Sequence, residues 1–218
     1  MSRFLSVVTA LVVCVSFSGC SMLGFGGGGG GAWKPTECFD NQYGGDLSGA
    51  KVGQSVTYST EPGGMKTTVK VVGKDGDAFL VESWMEMPSM SYGYLFKVSG
   101  KKIVEAHAAA KDDKEWTKIT VKEPPKTEAA KGNEPKIVKS NEKKEVKAGA
   151  FDATKLDVTV NVQGKDYNSL SWYSKDVPKL HIQSEHGGLV AMEASGSKTV
   201  LEAKADDAKP SAIEMPKK

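Results

Sequence analysis

Leu156-Asp157-Val158-Thr159-Val160-Asn161-Val162, followed by Gln163-Gly164-Lys165-Asp166, is the stretch on which the reading of the fold turns. Its apolar residues recur at every second position with Asp, Thr and Asn between them, the period of a strand with one buried face. Gln163-Gly164-Lys165-Asp166 then supplies turn residues. The same alternation extends in both directions. Downstream, 170–174, 180–184, 189–195 and 199–204 are strand candidates, separated by Pro178, Gly187-Gly188 and Ser195-Gly196-Ser197. Upstream, Val52, Val56 and Tyr58 alternate with polar neighbours, and Glu61-Pro62-Gly63-Gly64 makes a turn before the β-rich run 65–72. Lys74-Asp75-Gly76-Asp77 carries the Asp-Gly signal of a tight hairpin ahead of 78–87. Met87-Pro88-Ser89 ends that strand, and Tyr92, Tyr94 and Phe96 share one face of the next. The alanines of 102–110 leave helix and strand open, and 115–121 alternates again. About ten short strands joined by tight turns predict an all-β chain, an antiparallel meander that curls on itself.

The 218 residues divide by composition. Met1-Ser2-Arg3 is a positive start, the apolar run from Phe4 to Phe17 follows, and Ser18-Gly19-Cys20 closes it with small residues. That is the layout of a secretory signal peptide. The run falls short of the roughly 20 apolar residues that a membrane-spanning helix needs. We expect 1–19 to be a signal peptide and 20–32 a tether built on the glycine run 26–31, since glycine chains behave as flexible coils. Residues 33–204 then form a single β-rich domain, interrupted by a Lys- and Pro-rich solvated loop over 122–144. The polar, proline-bearing tail 205–218 is expected to be disordered.

Composition narrows the function. Hydrophobic residues make up 39% of the chain, enough for one packed core. Charge is plentiful at 26% but balanced to a net +2, so no strong field gathers nucleic acid. Arg3 is the single arginine and lies in the signal segment, which removes the planar fork suited to phosphate and carboxylate. No nucleic-acid partner is expected. Of three cysteines, Cys14 sits in the signal core and Cys20 at its end. Cys38 therefore has no partner for an intramolecular disulfide after processing.

Phe17-Ser18-Gly19-Cys20 resembles the lipobox of bacterial lipoproteins, with Phe17 at a position where that motif prefers Leu. The resemblance implies that Cys20 is the lipid-attachment residue and that its amine is acylated after cleavage. It also implies residence in the cell envelope, and Ser21 after the cysteine goes with the outer membrane in that family. Two further patches resemble envelope domains related to the lipoprotein-localisation factors. One is Lys51-Val52-Gly53-Gln54-Ser55-Val56-Thr57-Tyr58 with Val69-Lys70-Val71-Val72-Gly73-Lys74-Asp75-Gly76 and Val81-Glu82. The other is Val146-Lys147-Ala148-Gly149-Ala150-Phe151-Asp152-Ala153 with Trp172-Tyr173-Ser174-Lys175-Asp176-Val177-Pro178. This resemblance implies a curved antiparallel sheet, an open half-barrel around an apolar concavity.

The candidate sites follow. Met85, Met87 and Met90 cluster around Pro88, and with Tyr92, Tyr94 and Phe96 they are the groove-lining candidates. Thioethers suit Cu(I), but methionine also fills irregular apolar space at cores and adaptable surfaces. Trp84, Trp116 and Trp172 are assigned to core or rim. His181 and His186 stand on opposite faces if extended, and zinc needs three or four converging ligands, so these and His107 are assigned to surface or turns. Gly-x-Ser-x-Gly, His-Glu-x-x-His and a phosphate-loop glycine motif do not occur in the sequence. We therefore expect a non-catalytic envelope lipoprotein without cofactor, held to the membrane by its lipid. Two readings of its work stay open: an apolar ligand in a curved groove, or an envelope protein partner docked on the sheet.

Overall fold

The computed structural model describes residues 37–38, 41–123, 134–162 and 164–215. The expected signal peptide, Cys20 and the glycine tether lie outside them, as does the side chain of Cys38. Among the described residues the regular structure is all β, in one sheet. A first meander comprises β2 (Ser55–Glu61), β3 (Met65–Asp75), β4 (Ala78–Met87), β5 (Met90–Ser99), β6 (Lys102–Ala110) and β7 (Thr117–Val121). A second comprises β8 (Lys136–Val146), β9 (Gly149–Val162), β10 (Lys165–Ser174), β12 (Gly187–Ala194) and β13 (Ser197–Ala205), with the two-residue β11 (Gln183–Ser184) added to β12. The short β1 (Glu37–Cys38) runs parallel to β7.

The last strand joins the two meanders. β13 pairs antiparallel with β2, so the spatial order is β1-β7-β6-β5-β4-β3-β2-β13-β12-β10-β9-β8. The path begins at β1 and ends at β8, so the sheet is open rather than closed into a barrel. Register shifts interrupt the ladders at Val71/Gly73, Lys97/Val98, Trp172/Tyr173 and Leu201/Ala203. Each such irregularity bends its strand and raises local twist, which is how a wide sheet departs from flatness.

The alternation read in the sequence sorts side chains onto two faces. Val56, Tyr58, Val69, Val71, Val81, Tyr94 and Leu201 are buried in the main core, which takes in residues of both meanders. Leu95, one residue out of step with Tyr94, belongs instead to a second cluster with Ala109, Trp116 and Ile213. Segments outside the ladders close the main core: Leu47, Val177 and Leu180 are all buried there. The Tyr43 hydroxyl donates to the Leu180 carbonyl, tying the lead-in to the β10–β11 connection.

Two expectations are corrected and one open alternative is settled. The 122–144 segment is not a loop throughout, because 136–144 belong to β8, whose register against β9 is unbroken from Lys136↔Thr159 to Val146↔Gly149. A charged run becomes a strand here because β9 supplies a ladder and β8, last in the sheet, leaves most of its charges in water. The tail is not disordered from 205. Ala205 ends β13, and residues up to Met215 run back across the sheet, with Ile213 buried. Finally, the alanine-rich 102–110 segment is strand β6, its small side chains matching aromatic residues across the ladder.

Candidate functional site

The six groove candidates come from one hairpin. Cross-strand pairing sets Met85 opposite Tyr92, Met87 opposite Met90, Ser83 opposite Tyr94 and Val81 opposite Phe96. All six therefore share a face, as the period-two reading requires. The rings order themselves: Tyr92 meets Tyr94 edge-on at 5.9 Å, and Tyr94 stacks on Phe96 at 5.3 Å and 14°. The Tyr92 hydroxyl donates to Met85 Sδ at 3.5 Å. On the far side Tyr92, Tyr94 and Phe96 face Ala110, Ala108 and Ala106 of β6. Those alanines leave the height that the rings fill. Tyr92 and Tyr94 are 8% and 6% exposed, while Met85, Met87, Met90 and Phe96 are half-buried against the same core. The face is a packed surface with a methionine end.

Two depressions lie elsewhere, each lined by charged residues together with apolar ones. One, about 450 Å³, is bounded by Asp46, Gln54, Lys175, Lys179, Lys204 and Asp206 among others. Lys179 reaches Asp46 at 3.5 Å, and Lys204 donates to the Asp176 carbonyl at 2.8 Å. The backbone N–H of Ser48, with Lys179 beside it, holds the Asp46 carboxyl below the ordinary range. The other, about 310 Å³, lies between the end of β8 and β13, bounded by Glu61, Lys144, Glu145, Val146, Lys198 and Val200. None of the six groove candidates lines either depression.

Next to the second depression, Trp172 organises a charged cluster that the sequence did not reveal as one. Its Nε1 donates to Glu142 at 2.6 Å, and Lys144 Nζ sits 3.4 Å from the ring centroid. Lys155 lies 5.4 Å from the same ring and 3.9 Å from Glu142. Burial lowers the Lys144 ammonium's affinity for its proton, and Glu193 opposes that. Attraction between ammonium and indole face is the physical reason these lysines settle here.

Glu82 is a second feature that sequence reasoning missed. It sits within the apolar run of β4 and is fully buried on the face opposite Tyr94. Lys70 Nζ lies 2.9 Å away, Trp84 Nε1 donates at 3.2 Å, and Ser211 donates both its N–H and its hydroxyl at 3.1 Å. A buried charge must be paired and hydrogen-bonded to persist. The signal was present as a lone carboxylate amid Phe79-Leu80-Val81 and Ser83-Trp84-Met85, but its partner Ser211 lies 129 residues away.

The histidines are dispersed. His107 corrects the surface-or-turn assignment: it is buried within strand β6, 3.6 Å from Glu105, and desolvation lowers its pKa. His186 lies between β11 and β12, its pKa also lowered by burial. His181 lies in the connection between β10 and β11, its ring 5.5 Å from Tyr58, and burial pushes its pKa down to about 4. Among the described residues no three His, Cys, Asp or Glu side chains converge. No described helix is long and apolar enough to cross a membrane.

Comparison with solved structures finds similarity to a candidate exported protein with a YmcC-like fold from Bacteroides fragilis NCTC 9343. The match covers 78% of this chain and 99% of that one, at 11% identity and a TM-score of 0.34. A candidate lipoprotein from Parabacteroides distasonis ATCC 8503 matches over 77% and 99%, at 12% identity and a TM-score of 0.32. No protein-family model matches the chain, and no curated protein matches it.

Proposed function

We propose that the chain is an envelope lipoprotein, anchored through Cys20, that works by docking a protein partner and catalyses no reaction. The anchoring half of this reading rests on the signal segment and on Phe17-Ser18-Gly19-Cys20. Acylation at two or more points makes membrane attachment stable.

The docking half rests on one observation: the face that would have held an apolar ligand is occupied by its own side chains. Tyr92 and Tyr94 lie at 8% and 6% exposure over the alanines of β6. Carriage of a lipid needs an apolar hollow of several hundred Å³, whereas the two depressions described above mix Lys, Asp and Glu with apolar residues in their lining. What the fold offers outward is β8, eleven residues long and last in the sheet order. Its lysines and glutamates discourage pairing with a like edge, while the backbone stays open to a partner of complementary charge.

The test is native mass spectrometry of the protein purified gently from its host, with organic extraction, beside photo-crosslinking from position Ser140 on β8. Crosslinks to one protein and a clean apo mass support docking. A co-purifying lipid or acyl peptide would overturn it and return function to the Met85–Tyr92 face.

A further inference from the structure

The outer face of the first meander carries a groove, and the chain's own end lies in it. Trp84, Leu95, Ala109 and Trp116 form the apolar part, with the two indoles 5.7 Å apart. Ile213 fills it at 6% exposure. Two residues earlier, Ser211 gives its N–H and hydroxyl to the buried Glu82 carboxylate. Glu214 N–H donates to the Lys114 carbonyl at 3.0 Å, and Glu214 pairs in parallel with Glu115. At the near end Ala208 N–H donates to the Gly53 carbonyl at 2.8 Å, and Lys70 Nζ to the Lys209 carbonyl at 3.0 Å.

Two properties separate this strap from a tail that merely finishes a core. It is thinly attached: Asp206, Asp207, Lys209, Pro210, Ala212, Glu214 and Met215 are exposed, and Ile213 is its one buried residue among those described. The groove also holds features that read a segment. Glu82, a buried carboxylate paired with Lys70 and the Trp84 indole, also takes one hydroxyl and one N–H from the strap, and Trp116 Nε1 is buried with no hydrogen-bond partner among the described residues. An apolar pair would serve stability as well as a buried ion pair does; a polar contact of this kind fixes register.

We propose that this groove is an intermolecular site whose occupant is the 206–215 strap of a second copy, the in-chain arrangement being the closed form of a strap exchange. The segment is identical, so every contact above can form between copies, the low-cost route to a dimer. The strap begins where β13 ends, so its departure breaks no strand ladder. Pro210, lacking an N–H, keeps it from settling as a regular strand. In-chain occupancy prevails when copies are dilute, and exchange prevails when their concentration approaches the strap's own effective concentration. The site is on a different surface from β8 and does not depend on the docking reading.

The experiment uses the full-length Ile213→Asp chain and a synthetic peptide of residues 206–215. The peptide is expected to bind this variant saturably, with a blue shift of tryptophan emission, and a Ser211→Ala peptide at least about tenfold more weakly. The intact chain takes up no peptide at the same concentration. It forms a dimer on concentration in sedimentation runs, and Ile213→Asp abolishes that dimer. A folded variant that ignores the peptide overturns the proposal. So does peptide binding by the variant together with an intact chain that stays monomeric, since the groove would then serve a foreign segment. Should Ile213→Asp not fold, the milder full-length Ser211→Ala chain takes its place, and binding or refusal of the same peptide decides in the same way. Lys139→Val on β8 leaves peptide binding unchanged, which separates this site from the docking edge.

Discussion

At Gly93 the backbone of β5 passes directly beneath an indole. A Cβ there would stand 2.7 Å from ring atoms of Trp84, so the indole lies flat on the strand because this residue has no side chain. Gly93→Ala must displace Trp84, and with it the Nε1 donation to Glu82. We expect a loss of about 1–3 kcal/mol, the usual cost of overpacking, read by urea titration with tryptophan emission. Glu82→Ala strands Lys70 beside an apolar cluster and should cost about 3 kcal/mol, as breaking a buried pair does. Adding Lys70→Met should recover part of that loss; a double variant as weak as the single one would show the pair is not coupled. His181 sets a pH dependence. Unfolded, its imidazole takes a proton below about 6.5, but folded only below about 4, because burial against Tyr58 disfavours the charged ring. Between those values the unfolded chain holds more protons, so stability is complete above about 6.5 and falls as pH drops toward 4. His107 and His186 are shifted in the same direction. Urea midpoints at about pH 7.5 and about pH 5 should differ less in His181→Phe than in the parent.

At the scale of elements, β8 shows how charge and strand coexist. Lys139 and Lys143 are exposed on an eleven-residue strand that ends the sheet. Long apolar edges template pairing with other chains, and lysine is a common guard against it. Replacing Lys139 and Lys143 with Val should leave far-ultraviolet dichroism unchanged and raise aggregation, measured by light scattering on incubation. If the double variant stays as monomeric as the parent, the guard lies elsewhere on the edge. The strand pattern at 156–162 was legible because alternation is a local property of one strand facing one core. β8 was not, because its sequence is polar on both faces and its strand character comes from eleven residues of register with β9. The strap was illegible for a related reason: one isoleucine in a polar tail reads as noise until Leu95, Ala109 and Trp116 are seen to converge on it.

At the scale of the whole molecule, the proposed anchor and the folded core fall on different parts of the chain. Anchoring is proposed for Cys20, while the core begins with Leu47 and is closed by contacts within 41–215. Cys20→Ala should therefore leave a chain that is soluble or uncleaved, with a urea midpoint like the parent's. A variant that still resists carbonate extraction would refute lipid attachment at this residue. The same separation bears on the groove candidates. The sequence grouped Met85, Met87, Met90, Tyr92, Tyr94 and Phe96 as groove-lining candidates, and the register puts them on one face. Whether such a face is a hollow or a packed layer depends on what stands across it, and here the alanines of β6 and the rings fill each other's space.

By itself the sequence determined the strand class and most of the turns, since each is written in residues a few positions apart. Period-two alternation and Asp-Gly act through local backbone preference. The tertiary structure alone decided that β13 returns to β2 and joins two meanders, and that Glu82 is satisfied by Ser211. It also decided that Lys144 and Lys155 gather on Trp172. Those outcomes depend on burial, on register and on charges meeting across long stretches of chain. No local pattern encodes a partner 129 residues away; only a packed interior brings the two together and makes leaving either one unpaired costly.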